Sequence, residues 1–153
     1  MTDRERLLRL IVDRSVQIGD FVLSSGARSN YYIDCRRTTM HAEGQVLVGS
    51  LCYELLRKSG LRPDAVGGLT MGADPVAYAI AYTSHLRGDP INAFSVRKSA
   101  KSHGTGKRIE GCFEAGDNVV VIEDTITSGG SALDAVEAVE AEGGQVLAVL
   151  ALV

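Results

Sequence analysis

The sequence predicts an α/β fold, a parallel sheet flanked by helices, and three observations carry that prediction. From residue 65 onward, short apolar β-type runs alternate with segments of helical periodicity, as a sheet with covering helices requires. Val119-Val120-Val121-Ile122 is apolar without interruption, the mark of a strand buried on both faces. Ahead of that alternation, two short aromatic or β-branched runs flank a polar stretch and suggest a small N-terminal appendage rather than core.

Taken in order, the first element is a helix after Thr2. Leu7, Leu8, Ile11 and Val12 recur at helical spacing, Thr2 and Glu5 make a capping box, and the helix is expected to end near Gly19. The runs 21–23 and 31–35 read as two short strands, separated by the polar residues 24–30. Leu47, Val48, Leu51, Cys52, Leu55 and Leu56 then form one apolar helix face, which Gly60 terminates. Strands follow over 65–69, 91–96, 119–122 and 146–153, with helices over 75–82 and 132–141. With no internal repeat and no low-complexity linker, 1–153 reads as a single domain. In an open parallel sheet, ligands gather beyond the carboxyl ends of the strands, which directs attention to the loops after Leu69, Val96 and Ile122.

Charge and composition exclude several classes of function. A net charge of -3 argues against general nucleic-acid binding. No apolar run is long enough to span a bilayer and the N-terminus is charged, so no membrane association is expected and the cytosol is the expected location. Cys35, Cys52 and Cys112 are widely spaced and form no CxxC pair, which indicates structural thiols rather than a disulfide framework or a zinc site. His41 and His85 lack any spacing that suggests a metal or a proton relay and read as surface or loop residues.

The strand 119–122 runs directly into Glu123-Asp124-Thr125-Ile126-Thr127-Ser128-Gly129-Gly130-Ser131, after which a helix resumes. Backbone N–H groups at a glycine-rich turn and a helix N-terminus converge there, the helix dipole favours negative charge, and Thr125, Thr127, Ser128 and Ser131 add hydroxyl donors. A phosphate monoester fits. Two carboxylates beside a phosphate would repel it unless they faced something else, and vicinal ribose hydroxyls are the natural partner of Glu123 and Asp124. A plain helix cap would account for Ser131 and Asp134 but not for two acids, four hydroxyls and two glycines together. Neither GxxxxGK[ST] nor GxGxxG occurs, which excludes a Walker loop and a dinucleotide fold.

A second loop, 97–108, holds Arg97, Lys98, Lys101, His103, Lys107 and Arg108 and no acid, in a chain that is acidic as a whole. Such a stretch on an exposed surface is ordinarily just solvated. Here it follows a strand end on the ligand side, where it could close over an anion and exclude water.

These two loops, with Leu23-Ser24-Ser25-Gly26 and Tyr31-Tyr32-Ile33-Asp34, resemble the orotate phosphoribosyltransferase family over nearly the whole chain. The segment 119–131 is similar to the phosphoribosyl diphosphate (PRPP) motif of type I phosphoribosyltransferases. Arg97-Lys98-Ser99-Ala100-Lys101-Ser102-His103-Gly104 resembles the mobile catalytic loop of the orotate enzymes and is the more specific signal. Gly67-Gly68-Leu69-Thr70-Met71-Gly72-Ala73-Asp74-Pro75 is similar to a second substrate loop in one bacterial branch.

The resemblance implies the type I phosphoribosyltransferase fold, a five-stranded parallel sheet with a small N-terminal hood, in a homodimer with shared active sites. It implies transfer of the phosphoribosyl group from PRPP to orotate in pyrimidine (UMP) biosynthesis. Mg²⁺ is implied as a cofactor held mainly by PRPP, with no direct protein ligand. Lys101, Arg97, His103 and Asp124 are the implied catalytic residues, the first three stabilising the departing diphosphate. Lys101, Arg97 and His103 would reach the neighbouring subunit's site, while Lys98 serves its own. The loop from Glu123 to Ser131 would bind PRPP, and Thr127 with the backbone around Tyr32 and Ile33 would contact orotate. Relatives usually carry, beyond the last strand, an Asp-Arg pair whose arginine binds the orotate carboxylate, so a C-terminally truncated chain is expected. Ser24 stands where many relatives have a lysine. The alternatives are a phosphoribosyltransferase for another base, a PRPP-binding regulator, or an inactive truncated PRPP-binding form.

Overall fold

The computed structural model describes residues 1–23, 25–100 and 106–153. Helix α1 (Asp3–Ser15) starts at the expected capping box, in which the Thr2 hydroxyl accepts from the Glu5 N–H and the Glu5 carboxylate accepts from the Thr2 N–H. It ends at Ser15 rather than near Gly19, because Val16 already adopts extended backbone and opens β1 (Val16–Val22). This strand pairs antiparallel with β2 (Arg28–Ile33), Val16 opposite Ile33 and Val22 opposite Arg28, with an irregularity between Ile18 and Phe21. The hairpin is thus longer than the sequence suggested, and most of it is exposed. A one-turn helix α2 (Arg36–Thr39) and the long α3 (Ala42–Lys58) follow. Beyond α3, Gly60 takes a φ of 77° that favours glycine, as its role as terminator requires.

The central sheet has the order β5-β4-β3-β6-β7. Strands β3 (Ala65–Leu69), β4 (Asn92–Val96), β6 (Asn118–Glu123) and β7 (Gln145–Ala151) are mutually parallel. The fifth, β5 (Ile109–Gly111), runs antiparallel along the β4 edge, which corrects the expectation of a wholly parallel sheet. Three residues carry too little pattern to announce a strand. Helices α4 (Ala73–Leu86) and α5 (Gly130–Ala141) complete the layers.

Period-two alternation along β6 divides the core. Val120 and Ile122 pack with α4, α3 and α1, whereas Val119 and Val121 pack with α5 and the Phe94 side of the sheet. Two glycines in β3 permit this density: a Cβ on Gly67 would strike the Phe94 carbonyl, and one on Gly68 the Ile122 carbonyl. Among the described residues, no helix is long and apolar enough to cross a membrane. Cys35 and Cys52 are buried, Cys112 is exposed, and all three are free thiols.

Candidate active site

From β3 the chain crosses to β4 on one side, and later returns to lay β6 on the other, so the strand order reverses between the ends of β3 and β6. A crevice opens at such a reversal, beyond the carboxyl ends of the two strands. The loop 123–131 leaves β6 at that point, and the turn holding Thr70, Met71 and Gly72 leaves β3 beside it. A cis peptide joins Thr70 to Met71. Gly72 lies flat against the Asp124 carboxylate: a Cβ there would sit 2.6 Å from Oδ1 and 3.1 Å from Oδ2. A side chain at this position would have to displace the Asp124 carboxylate.

Glu123 ends β6 and is 6% exposed, with no cation paired to it among the described residues. Burial, reinforced by the neighbouring Asp124 charge, pushes its carboxyl up to about 7. Asp124 is more open, and its Oδ1 accepts the Thr125 N–H at 2.9 Å. Thr125 Oγ1 is buried next to the Cys35 thiol, whose basicity it lowers slightly as a hydrogen-bonding neighbour. Ile126, Thr127 and Ser128 are exposed, and Gly129 caps α5 with a φ of 84°. That left-handed residue turns the chain so that the first N–H groups of α5, from Gly130 and Ser131, are presented at the helix N-terminus. The glycine turn and the helix start expected from the sequence are both in place.

The hood reaches the same place. Cys35 is buried at the β2–α2 junction, and burial, then the charges of Asp124 and Asp34, push its thiol above the ordinary value. Arg36 binds Asp34 at 2.8 Å, which raises its basicity, and Asp124 adds to the effect. Tyr32 tilts against Phe21, with ring centroids 5.7 Å apart, and Ile33 pairs with Val16. The junction after Tyr32 and Ile33 thus stands beside the acidic pair.

Arg97 and Lys98 are exposed beyond β4. Lys101 and His103 lie outside the described residues, as does Ser24. The roots of the basic loop are locked together: the Arg97 N–H donates to the Arg108 carbonyl at 2.8 Å, and the Arg108 guanidinium donates back to the Arg97 carbonyl. Arg108 also forks onto both oxygens of Asp134 at 2.8 and 2.9 Å, while Glu142 accepts from the Arg108 and Ile109 N–H groups. Through these contacts the loop is rooted on α5, the helix whose start forms the cradle. Arg97 itself pairs with Glu110 at 3.0 Å. Sequence reasoning treated Arg108 as one more basic residue, because nothing local distinguishes an anchor from a ligand contact. In the sequence Asp74 is likewise distinguished only by its place in the motif 67–75.

No protein-family model matches the chain. Orotate phosphoribosyltransferase from Aquifex aeolicus is 47% identical over 156 residues, which cover 100% of this chain and 84% of that protein. The Mycobacterium avium enzyme of the same name is 51% identical over 149 residues, covering 97% and 80%. Among solved structures, Mycobacterium tuberculosis orotate phosphoribosyltransferase in complex with Fe(III) dicitrate superposes with a TM-score of 0.85 at 48% identity, covering 98% of this chain and 83% of the other. The same enzyme in complex with PRPP gives 0.80 at 43% identity, covering 98% and 82%. An adenine phosphoribosyltransferase from Leishmania tarentolae, at 17% identity and a TM-score of 0.60, shares the fold alone. With relatives this similar along nearly all of its length, and with an acidic pair followed by a glycine turn and a helix N-terminus at the reversal of strand order, the chain belongs to the orotate phosphoribosyltransferase family.

Proposed function

We propose that the protein transfers the 5-phosphoribosyl group of PRPP to orotate, giving orotidine 5′-monophosphate and diphosphate. The observation that carries this reading is the buried Glu123 and adjacent Asp124 at the mouth of a backbone anion cradle, where a ribose phosphate offers both the hydroxyls and the anion that such a site takes. The PRPP complex of the tuberculosis enzyme, similar over 98% of this chain, supports the choice of donor. The names of the relatives support orotate as acceptor.

The 5′-phosphate sits on the N–H groups of 126–131 and the hydroxyls of Thr125, Thr127, Ser128 and Ser131. Glu123 and Asp124 hold the ribose hydroxyls and, being anionic, favour the positive charge that grows on the ring as the C1–O bond breaks. The base lies against the hood, with the Tyr32 and Ile33 backbone and Thr127 orienting it. Lys98 serves its own subunit's site, and Arg97, Lys101 and His103 close on the departing diphosphate from the neighbouring subunit of a homodimer. Mg²⁺ offsets the negative charge of the leaving group. In this reading the ion is carried chiefly by PRPP, as suits a cation that keeps most of its shell from phosphate and water oxygens. The cytosol is the compartment this reading implies.

Loss of orotate absorbance on mixing the protein with PRPP and Mg²⁺ tests the assignment. Consumption of orotate with release of diphosphate is the expected result. Inertness toward orotate alongside turnover of another base would replace it.

A further inference from the structure

We propose that Asp74 is a positioning residue for the diphosphate half of PRPP, a single carboxylate that holds the turn after β3 against the end of β4. The proposal rests on the reading of the site given above. Asp74 lies in the first turn of α4 and is half-buried. Both of its oxygens are taken by hydroxyls from two different strand ends: Oδ2 accepts from Thr70 Oγ1 at 2.6 Å, and Oδ1 from Ser95 Oγ at 2.7 Å. Ser95 Oγ is also 3.0 Å from the Tyr78 hydroxyl on the next turn of α4. Among the described residues no cation pairs with Asp74, so its charge is spent on short hydrogen bonds to these hydroxyls.

What those bonds connect gives the residue its role. Thr70 opens the turn that lays Gly72 against the Asp124 carboxylate. Ser95 precedes Val96 at the end of β4, and Val96 accepts the Thr70 N–H at 2.9 Å before the chain enters Arg97 and the basic loop. Asp74 therefore ties the turn after β3 to the root of the basic loop and, through Gly72, to the ribose acid. A diphosphate carried on a ribose held by Asp124 would lie among all three, so displacement of one would reach it through the others. Asp74 touches neither ribose nor base in this arrangement. Its influence runs through the loops it spaces.

The test is steady-state kinetics on Asp74→Ala, with PRPP and orotate varied separately. The expected result is a KM for PRPP raised about tenfold or more, with the KM for orotate changed by less than about twofold. Asp74→Asn, whose amide still bridges the two hydroxyls, should recover most of the loss. Thr70→Val should reproduce part of it, and combined with Asp74→Ala should add less than the two separate effects. An unchanged KM for PRPP in Asp74→Ala overturns the proposal, as does a parallel rise in both KM values in step with a lowered Tm. If Asp74→Ala fails to fold, Thr70→Val and Ser95→Ala carry the test, and a normal KM for PRPP in both overturns it. A wild-type protein inert toward orotate would sink the assigned reaction instead. The positioning role would then be read from PRPP affinity by calorimetry on the same variants.

Discussion

Glu123 ties stability and binding to one proton. Its carboxyl, ordinarily near 4.5, is pushed up to about 7 in the folded chain by burial and the Asp124 charge. Between those two values the folded state holds a proton that the unfolded state has given up. Stability from this group is thus full below about pH 4.5 and is lost as pH rises through 7. Glu123→Gln, which imitates the protonated form, should be more stable than the parent at pH 8, by on the order of 2 kcal/mol, and no more stable at pH 4.5. Thermal melts across that range would show the two curves diverging, and parallel curves would remove Glu123 as the cause. The same variant should bind ribose 5-phosphate more weakly at pH 8, because an amide cannot accept hydroxyl protons as a carboxylate does, so function and stability move in opposite directions. Gly72 makes a complementary prediction. An added Cβ must push the Asp124 carboxylate aside, so Gly72→Ala should cost about tenfold or more in kcat/KM for PRPP while leaving the fold intact.

At the level of elements, the link between the basic loop and α5 is open to a direct test. Arg108→Gln removes the fork onto Asp134 and the bonds to the Arg97 carbonyl. The expected loss of stability is modest, about 1 kcal/mol, because the pair is partly exposed. The loss in turnover should be larger than the stability change implies, since the loop would close from an unsteady root. Equal losses in Tm and activity for Arg108→Gln and for a surface control would mean that the anchor is ordinary. The elements most legible in the sequence were those whose own residues determine them. The capping box of Thr2 and Glu5 marked the start of α1, the run 65–69 marked β3 to the residue, and the apolar 119–122 marked β6. The less legible ones depend on distant partners. Val16 leaves the helix to pair with Ile33, and β5 exists only because β4 offers it an edge. The strand end, glycine turn and helix start over 123–131 were readable because contiguous residues determine them. The contact of Gly72 with Asp124 was not, because some fifty residues separate the two loops in sequence and only the reversal of strand order brings them together.

For the molecule as a whole, the proposed sharing of sites between subunits would decide what a single protomer can do. Lys101→Ala should lower turnover on the order of 100-fold, in line with the loss of one preorganised charge at a leaving group. Asp124→Asn should fail at the other half of the same site. If each loop serves the neighbouring subunit, mixing these two impaired proteins under conditions that exchange subunits should return part of the activity, because one site in a mixed dimer then has both parts intact. No recovery, with exchange confirmed by mass spectrometry, would show that each protomer works alone. The clasp between Arg97 and Arg108 would also set a limit on such a dimer. With both feet pinned together, the intervening residues 98–107 form a tether that must go out and come back, so its tip can travel no further than about 17 Å from the clasp. A pocket served by that tip, whichever subunit owned it, would have to fall within this backbone reach plus the length of one side chain, which would bound the separation between two clefts in an assembled pair.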